Sequence, residues 1–273
     1  MLNLVKMDMY RLVRMKSFWI MIAVTVLLAC LSVFLTDYAL NLQNDVSMES
    51  GAIIFDMAGM AGEITKIDVT DFVNTDLAGL NLLILCVIFG SLFVNGEQKN
   101  GFVKNIAGQL PNRGLLVLSK LVAVAVQVTV IFAAYILTMA VLGKVLWADK
   151  LVLDSFGDLA KVIGIHYLLH FAMAVLVSGL TLMLRGSGLS MTFGIICSTG
   201  AAQLIYRLVN ILLHKCGVSE SFDIADFALE SCIHAVTPGL QGGDLTRVLA
   251  VGIGFILVST LGAILVMQKR DFR

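Results

Sequence analysis

Long apolar segments separated by polar ones dominate the pattern of this chain. Six segments each contain the ~17–25 residues that a helix needs to cross ~30 Å of hydrocarbon, and they lie at 18–36, 77–94, 120–142, 162–184, 189–206 and 248–267. Within them, apolar and polar residues do not alternate at every second position as they would in membrane β-strands. The pattern predicts an all-α membrane protein whose six transmembrane helices form a single domain over residues 1–273.

Composition supports a membrane environment. Hydrophobic residues make up 59% of the 273 positions and charged residues 14%, whereas a soluble domain averages ~45–50% and ~25%. The surplus of apolar side chains must face lipid. The first apolar segment is longer than the ~7–15 residues of a signal-peptide core, so we interpret it as a retained helix.

The charged residues are sorted to the two sides of the predicted bundle. With both termini inside, the cytoplasmic segments hold 12 of the 19 basic residues and three acidic ones, which leaves 16 acidic and seven basic residues outside. Because lysine and arginine concentrate on the cytoplasmic side of membrane proteins, this distribution predicts cytoplasmic termini.

The segments outside the predicted helices differ in character. Residues 1–16 place Leu2, Val5, Met9, Leu12 and Val13 on one helical face and predict an amphipathic helix in the cytoplasmic interface. Residues 37–76 form a long acidic extracellular segment, and 207–247 a second one that mixes apolar and charged residues. Such a mixture predicts short helices that dip back into the protein. Cys216 and Cys232 share the second segment, and a disulfide between them is left open.

The cytoplasmic segment 95–113 is the most distinctive part of the sequence. A short helix fits residues 97–107, since Gly108 favours a helix end and Pro111 holds the residue before it extended. The apolar side chains on this helix would be surrounded by lysine and arginine, which is the composition of a docking surface. The alternative is a solvated loop whose bases only set the topology.

The residues in and beside this segment resemble the permease subunits of type-2 ABC exporters. The pattern consists of an acidic residue after the second span, a glycine, a lysine, Pro-x-Arg and a final lysine, here Glu97, Gly101, Lys104, Pro111, Arg113 and Lys120. The nearest likeness is to the small bacterial permeases of lantibiotic-immunity and bacitracin-resistance exporters. The resemblance implies that 95–113 is a coupling segment bound by an ATPase subunit, with contacts from Glu97, Gly101, Phe102, Lys104, Asn105, Pro111 and Arg113.

The same resemblance implies the composition of the complex. The chain lacks G-x-x-x-x-G-K-[ST], the loop that cradles nucleotide phosphates. ATP and Mg²⁺ would therefore be bound by the partner, and this chain would have no cofactor of its own. The family implies two ATPase subunits and two permeases, identical or related, in a bacterial plasma membrane. The expected substrate is amphipathic, such as an antimicrobial peptide, a drug or a lipid.

Polar residues inside the spans are candidates for a translocation path, because each needs a partner or a wet surface. We select Asn81, Gln127, His170 and Gln203. His166 and His170 lie four residues apart, a spacing that suits a metal ligand pair or a proton relay. No Cys, Asp or Glu completes a metal set nearby in sequence, so hydrogen bonding between helices is the preferred interpretation.

Other functions have less support. The sequence has no Gly-x-Ser-x-Gly elbow and no acidic residue deep within a span, so it does not indicate an enzyme. No site for a metal or for nucleic acid is predicted. A secondary transporter or channel would be expected to carry carboxylates inside the membrane or broken helices. A membrane scaffold or sensor without transport is the remaining alternative.

Overall fold

A computed structural model describes residues 2–45, 66–99, 113–148, 150–184, 186–217, 219 and 222–269. The described chain is helical except for two short strands, β1 (Ile67–Asp68) and β2 (Leu151–Val152), which pair in parallel. The helices are α1 (Leu2–Arg14), α2 (Lys16–Asp45), α3 (Val69–Ala78), α4 (Leu80–Lys99), α5 (Gly114–Trp147), α6 (Phe156–Leu184), α7 (Ser187–Ser198), α8 (Ala202–Lys215), α9 (Leu229–His234) and α10 (Gly242–Lys269), with a 3-10 helix at Ile224–Phe227.

Four helices are long and apolar enough to cross a membrane alone. They are α2 over its part Lys16–Leu40, α5, α6 and α10. They contain the predicted segments 18–36, 120–142, 162–184 and 248–267; α2, α5 and α10 extend beyond their segments at both ends, and α6 begins earlier than its segment and ends with it at Leu184. The prediction of a helical membrane protein is therefore confirmed.

The other two predicted spans are not single straight helices. The segment 77–94 falls on α3 and α4, which are separated at Gly79 by an extended residue. The segment 189–206 falls on α7 and α8, whose axes differ by 78° across residues 199–201. Gly200 has a φ of +71° there, a conformation that glycine adopts without a steric penalty. The prediction of a continuous helix over 189–206 is wrong because this turn interrupts it.

Contacts between helix ends define two opposite ends of the bundle. At the end that we call proximal, Phe18 of α2 packs 6.0 Å from Phe89 of α4, and Asn95 donates a hydrogen bond of 2.8 Å to Ser187 of α7. At the other end, called distal, the Trp147 indole donates a hydrogen bond of 2.8 Å to Asp37 of α2. Helices α2 and α5 therefore run in the same direction, and α4 runs against them.

Helices α6 and α10 are packed side by side and run parallel. A Cβ atom added at Gly252 would lie 3.3 Å from Leu169, and one added at Gly179 would lie 3.3 Å from the Ser259 carbonyl oxygen. The later residue of α6 contacts the later residue of α10, so the two helices run in the same direction. Because α7 starts at the proximal end where α6 stops, the chain must return to the distal end between Ser187 and Gly242.

The predicted extracellular segments contain regular structure at the distal end. Within 37–76, α2 continues to Asp45 and α3 starts at Val69. Within 207–247 lie the rest of α8, the 3-10 helix and α9, as the mixed composition predicted. Cys216 is exposed, Cys232 is buried, and both are free thiols, so the structure contains no disulfide between them.

Candidate functional site

Three elements meet at the proximal end, on both sides of segment 100–112. They are α1, the end of α4 and the start of α5. The Lys120 ammonium of α5 forms an ion pair and a hydrogen bond with the Asp8 carboxylate of α1. Their side chains are 3% and 0% exposed, so water does not screen this interaction as it screens a surface pair. We call these three elements the proximal junction.

The aromatic ring of Phe93 lies at the centre of the proximal junction. The Arg11 guanidinium and the Lys120 ammonium each lie 5.9 Å from the ring centroid, within the range of a cation–π interaction. Phe93 is 0% exposed. A Cβ atom added at Gly96 would be 3.0 Å from the Arg11 side chain, so α4 approaches α1 closely here. Burial lowers the pKa of Arg11, and the nearby Asp8 opposes that shift.

Helix α1 is turned so that its charged Asp8 faces the protein. Asp8 and Leu12, four residues apart, are its buried residues, while Leu2 and Val13 of the predicted apolar face are 71% and 51% exposed. The predicted amphipathic helix is present, but its apolar face is divided between protein contacts and an exposed part. Sequence reasoning missed Asp8. Its position one turn before the apolar Leu12 was the signal in the sequence that could have indicated its burial.

Most residues predicted to contact an ATPase fall outside the described part of the chain. These are Gly101, Phe102, Lys104, Asn105 and Pro111. Glu97 lies in the last turn of α4, and Arg113 directly precedes α5. The proximal junction therefore fixes both ends of the predicted coupling segment, and the contacts of the segment remain a prediction.

The four predicted path residues occupy different environments. Gln127 and His170 are 0% exposed, Gln203 is half-buried and Asn81 is exposed. Both polar atoms of the Gln127 side chain are buried without a hydrogen-bond partner within the described ranges. Burying an amide without hydrogen bonds is energetically costly, so a partner for this side chain is expected. A role in a translocation path remains a prediction for all four.

The two histidines of α6 belong to a hydrogen-bonded connection at the distal half. The His166 ring donates from Nε2 to Asn74 Oδ1 at 3.0 Å, and Asn74 donates to the Val236 carbonyl at 3.0 Å. The His170 ring donates from Nδ1 to the His166 carbonyl at 2.8 Å. Among the residues described, no three His, Cys, Asp or Glu side chains are grouped to hold a metal. Asn74 was not predicted, because its partners lie 92 and 162 residues away.

A family match now identifies the chain. The family model described as ABC-2 family transporter protein matches residues 2–215. The chain belongs to the ABC-2 transporter family. No curated protein matches it significantly.

The family match covers most of the described architecture. The match covers α1 to α8, including the proximal junction and the segment that it flanks. The chain is thus a multi-pass membrane component of an ABC transporter, which works with an ATPase partner. The expected relationship to type-2 ABC permeases is confirmed at this level.

Proposed function

We propose that this ABC-2 family member is the permease subunit of an exporter that is driven by a separate ATPase docked at 95–113. The observation that carries the proposal is the proximal junction, in which α1 clamps the chain on both sides of that segment through Lys120 and Phe93. A force applied to the segment would reach α4 and α5 together, because both are tied to one small helix.

The proposed topology has six crossings and cytoplasmic termini. The excess of basic residues supports a cytoplasmic location for the proximal end. The parallel packing of α6 and α10 supports a fifth crossing between them, which would contain α7 and the turn at Gly200. The crossing that contains α3 and α4 is likewise broken.

The proposed cargo is an amphipathic molecule such as an antimicrobial peptide, a drug or a lipid, exported across a bacterial plasma membrane. Two permeases, identical or related, would surround the path and bind two ATPases. The distal segment 222–241 would act as a lid. Asn74 holds this segment through the Val236 carbonyl, and the Lys161 ammonium donates to the Leu240 carbonyl.

Co-purification with an ABC ATPase from the same genome tests the docking assignment. We expect Gly101→Arg and Arg113→Glu to reduce both complex formation and ATP hydrolysis stimulated by the permease. Lys6→Met, which removes an exposed charge of α1, is the matched control and should leave both intact. Normal assembly and hydrolysis in both docking variants would contradict the proposal. A resistance screen against antimicrobial peptides and lipophilic drugs, with and without the permease and its ATPase, then tests the cargo.

A further inference from the structure

The carboxyl group of Asp76 lies inside the bundle, although this residue precedes the predicted span 77–94. The Ser32 hydroxyl of α2 donates a hydrogen bond to Asp76 Oδ1. The Tyr135 side chain of α5 is 0% exposed, and its hydroxyl lies beside both Asp76 and Ser32. Three side chains from three helices therefore meet at one point, which we call the Asp76 cluster.

The helices that form the Asp76 cluster include two of those long enough to cross the membrane alone. Ser32 belongs to the candidate span Lys16–Leu40, and Tyr135 to Gly114–Trp147. Tyr135 is separated from the distal end of α5 by a length of helix that rises about 18 Å. An ionisable group inside a membrane bundle is costly to keep charged, and such groups generally mark functional sites.

Two polar atoms of the Asp76 cluster have no hydrogen-bond partner within the described ranges. They are Asp76 Oδ2 and the Tyr135 hydroxyl oxygen, and both are buried. Because buried polar atoms are nearly always paired, the cluster needs a further donor. Among the residues that the structure describes, the groups that act on this carboxyl are the hydroxyls of Ser32 and Tyr135, and no basic side chain forms an ion pair with it.

The other titratable groups around Asp76 are engaged elsewhere. On α2, the Asp37 carboxylate accepts a hydrogen bond from an indole of α5. On α6, the His166 ring is hydrogen-bonded to Asn74, which lies on α3 two residues before Asp76. Tyr135 of α5 is the titratable side chain that faces the Asp76 carboxyl. Neither Asp37 nor His166 therefore neutralises it.

A proton on Asp76 would satisfy every polar atom of the cluster. A protonated carboxyl carries one O–H donor, and a hydroxyl both donates and accepts. Asp76 Oδ2 would donate to Tyr135, Tyr135 to Ser32, and Ser32 to Asp76 Oδ1, which closes a ring. Without the proton the ring loses one donor, and a negative charge is buried with no opposite charge beside it. Hard metal cations take about six oxygen ligands or more, which exceeds what these three side chains supply.

We propose that Asp76, Ser32 and Tyr135 form a proton-binding site inside the membrane domain, in which a neutral carboxyl joins α3 to α2 and α5. Helix α3 is separated from α4 by the break at Gly79, and the two differ in direction by 47°, so α3 can move while α4 stays in place. When α3 leaves α2 and α5, the carboxyl meets water and releases its proton. When the contact forms again, the carboxyl takes up a proton. The site does not depend on ATPase docking at 95–113.

Infrared difference spectroscopy of the full-length protein in liposomes tests the proposal. Subtracting the spectrum of Asp76→Asn from that of the parent at neutral pH isolates this one carboxyl. We expect the difference to contain the band of a protonated carboxyl. Tyr135→Phe should shift that band, because the carboxyl loses a hydrogen bond. The matched control is Asp71→Asn, which removes an exposed carboxylate of the same helix and should give the bands of an ionised carboxylate only.

The pH dependence of unfolding gives a second measurement in detergent. A proton that is bound in the folded protein and released on unfolding makes the protein less stable as the pH rises. For one proton, the unfolding equilibrium constant near neutral pH rises by up to about tenfold per pH unit. Asp76→Asn should fold, because its amide can donate in place of the carboxyl, and it should lose this part of the pH dependence. Asp71→Asn should retain it.

Three outcomes would overturn the proposal. The first is an ionised carboxylate at Asp76 in the infrared difference at neutral pH. The second is an equal pH dependence of unfolding in the parent and in Asp76→Asn. The third is an unshifted carboxyl band in Tyr135→Phe, which is compared directly with the parent and does not require the Asp76 variant to fold. Each of these results would leave the docking of an ATPase at 95–113 untouched.

Discussion

The side chains of Lys120 and Asp8 form an ion pair that is almost completely shielded from solvent. Such a pair contributes less than its Coulomb attraction suggests, since both groups lose their hydration. The loss of one partner is a different matter, because the other group then stays buried and loses the opposite charge that pairs with it. Single substitutions of the pair are therefore expected to cost more stability than the double substitution.

We expect Lys120→Met to destabilise the protein by about 3–5 kcal/mol, and Asp8→Leu to have a similar effect. The double variant should recover most of the loss, since two apolar side chains of similar volume can replace a buried pair. Thermal unfolding of the detergent-solubilised protein measures this. Lys6→Met on the exposed side of α1 should change the melting temperature little. Additive losses in the double variant would show that the pair is not coupled.

Gly194 of α7 lies in close contact with α4 and α6. A Cβ atom there would lie 2.4 Å from the Val87 side chain of α4 and 2.8 Å from Val177 of α6. Gly194→Ala should therefore destabilise the protein by about 1–3 kcal/mol through overpacking, as measured by thermal unfolding. Val87→Ala should restore part of the loss in the double variant. A Gly194→Ala protein as stable as the parent would contradict the packing of α7 between α4 and α6.

Asn74 connects α3 to both His166 and the distal segment. Asn74→Ala should loosen that segment by roughly 1.4 kcal/mol, a tenfold change in the population of open states. The readout is maleimide labelling of Cys232, which is buried, with Cys216 as the exposed reference in the same molecule. We expect Cys232 to react about tenfold faster in the variant, while Cys216 reacts equally. Unchanged labelling of Cys232 would mean that Asn74 does not hold the segment.

The rate at which maleimide labels Cys232 should also depend on pH. Burial raises the pKa of Cys232 to about 11, so the thiol is protonated near neutral pH and the reactive thiolate is scarce. Its labelling rate should rise about tenfold for each pH unit up to pH 9 in the Asn74→Ala protein. A plateau below pH 9 would contradict the raised pKa.

Substitution by alanine is expected to have opposite effects on stability at Gly200 and at Gly254. Neither would place an added Cβ within 4 Å of another group, so steric crowding does not decide the result. Gly200 has a φ of +71°, and Gly200→Ala should destabilise the protein by about 1 kcal/mol. Gly254 lies within α10, and Gly254→Ala should stabilise it by up to about 1 kcal/mol. Melting temperatures of the two variants test this, and equal shifts would contradict the left-handed turn at Gly200.

Hydropathy predicted the long helices but not the interruption of the fifth apolar segment. The helical potential of 189–206 is a sum over many side chains, whereas the break depends on one backbone conformation at Gly200. A window average does not register a single turn. The mixed composition of 207–247 did predict short helices, because it reports on partial burial.

The predicted coupling segment was located from local sequence, since its pattern spans about 25 residues. The residues that hold it in place were harder to find. Asp8 pairs with a residue 112 positions away, and one sequence carries no signal for such a contact beyond the charge itself. The lysine of the pair was identified as the start of the third predicted span and as part of the resemblance to type-2 ABC permeases, but not as a partner of Asp8.

The ion pair also constrains the order of biosynthesis. Asp8 leaves the ribosome long before Lys120, which is 112 residues later and, at ~5–20 residues per second, about 6–20 s behind. During that interval the carboxylate has no buried counter-charge, and α1 must wait at the water-exposed surface of the membrane. Helix α1, although made before α5, is therefore among the later elements to reach its final place.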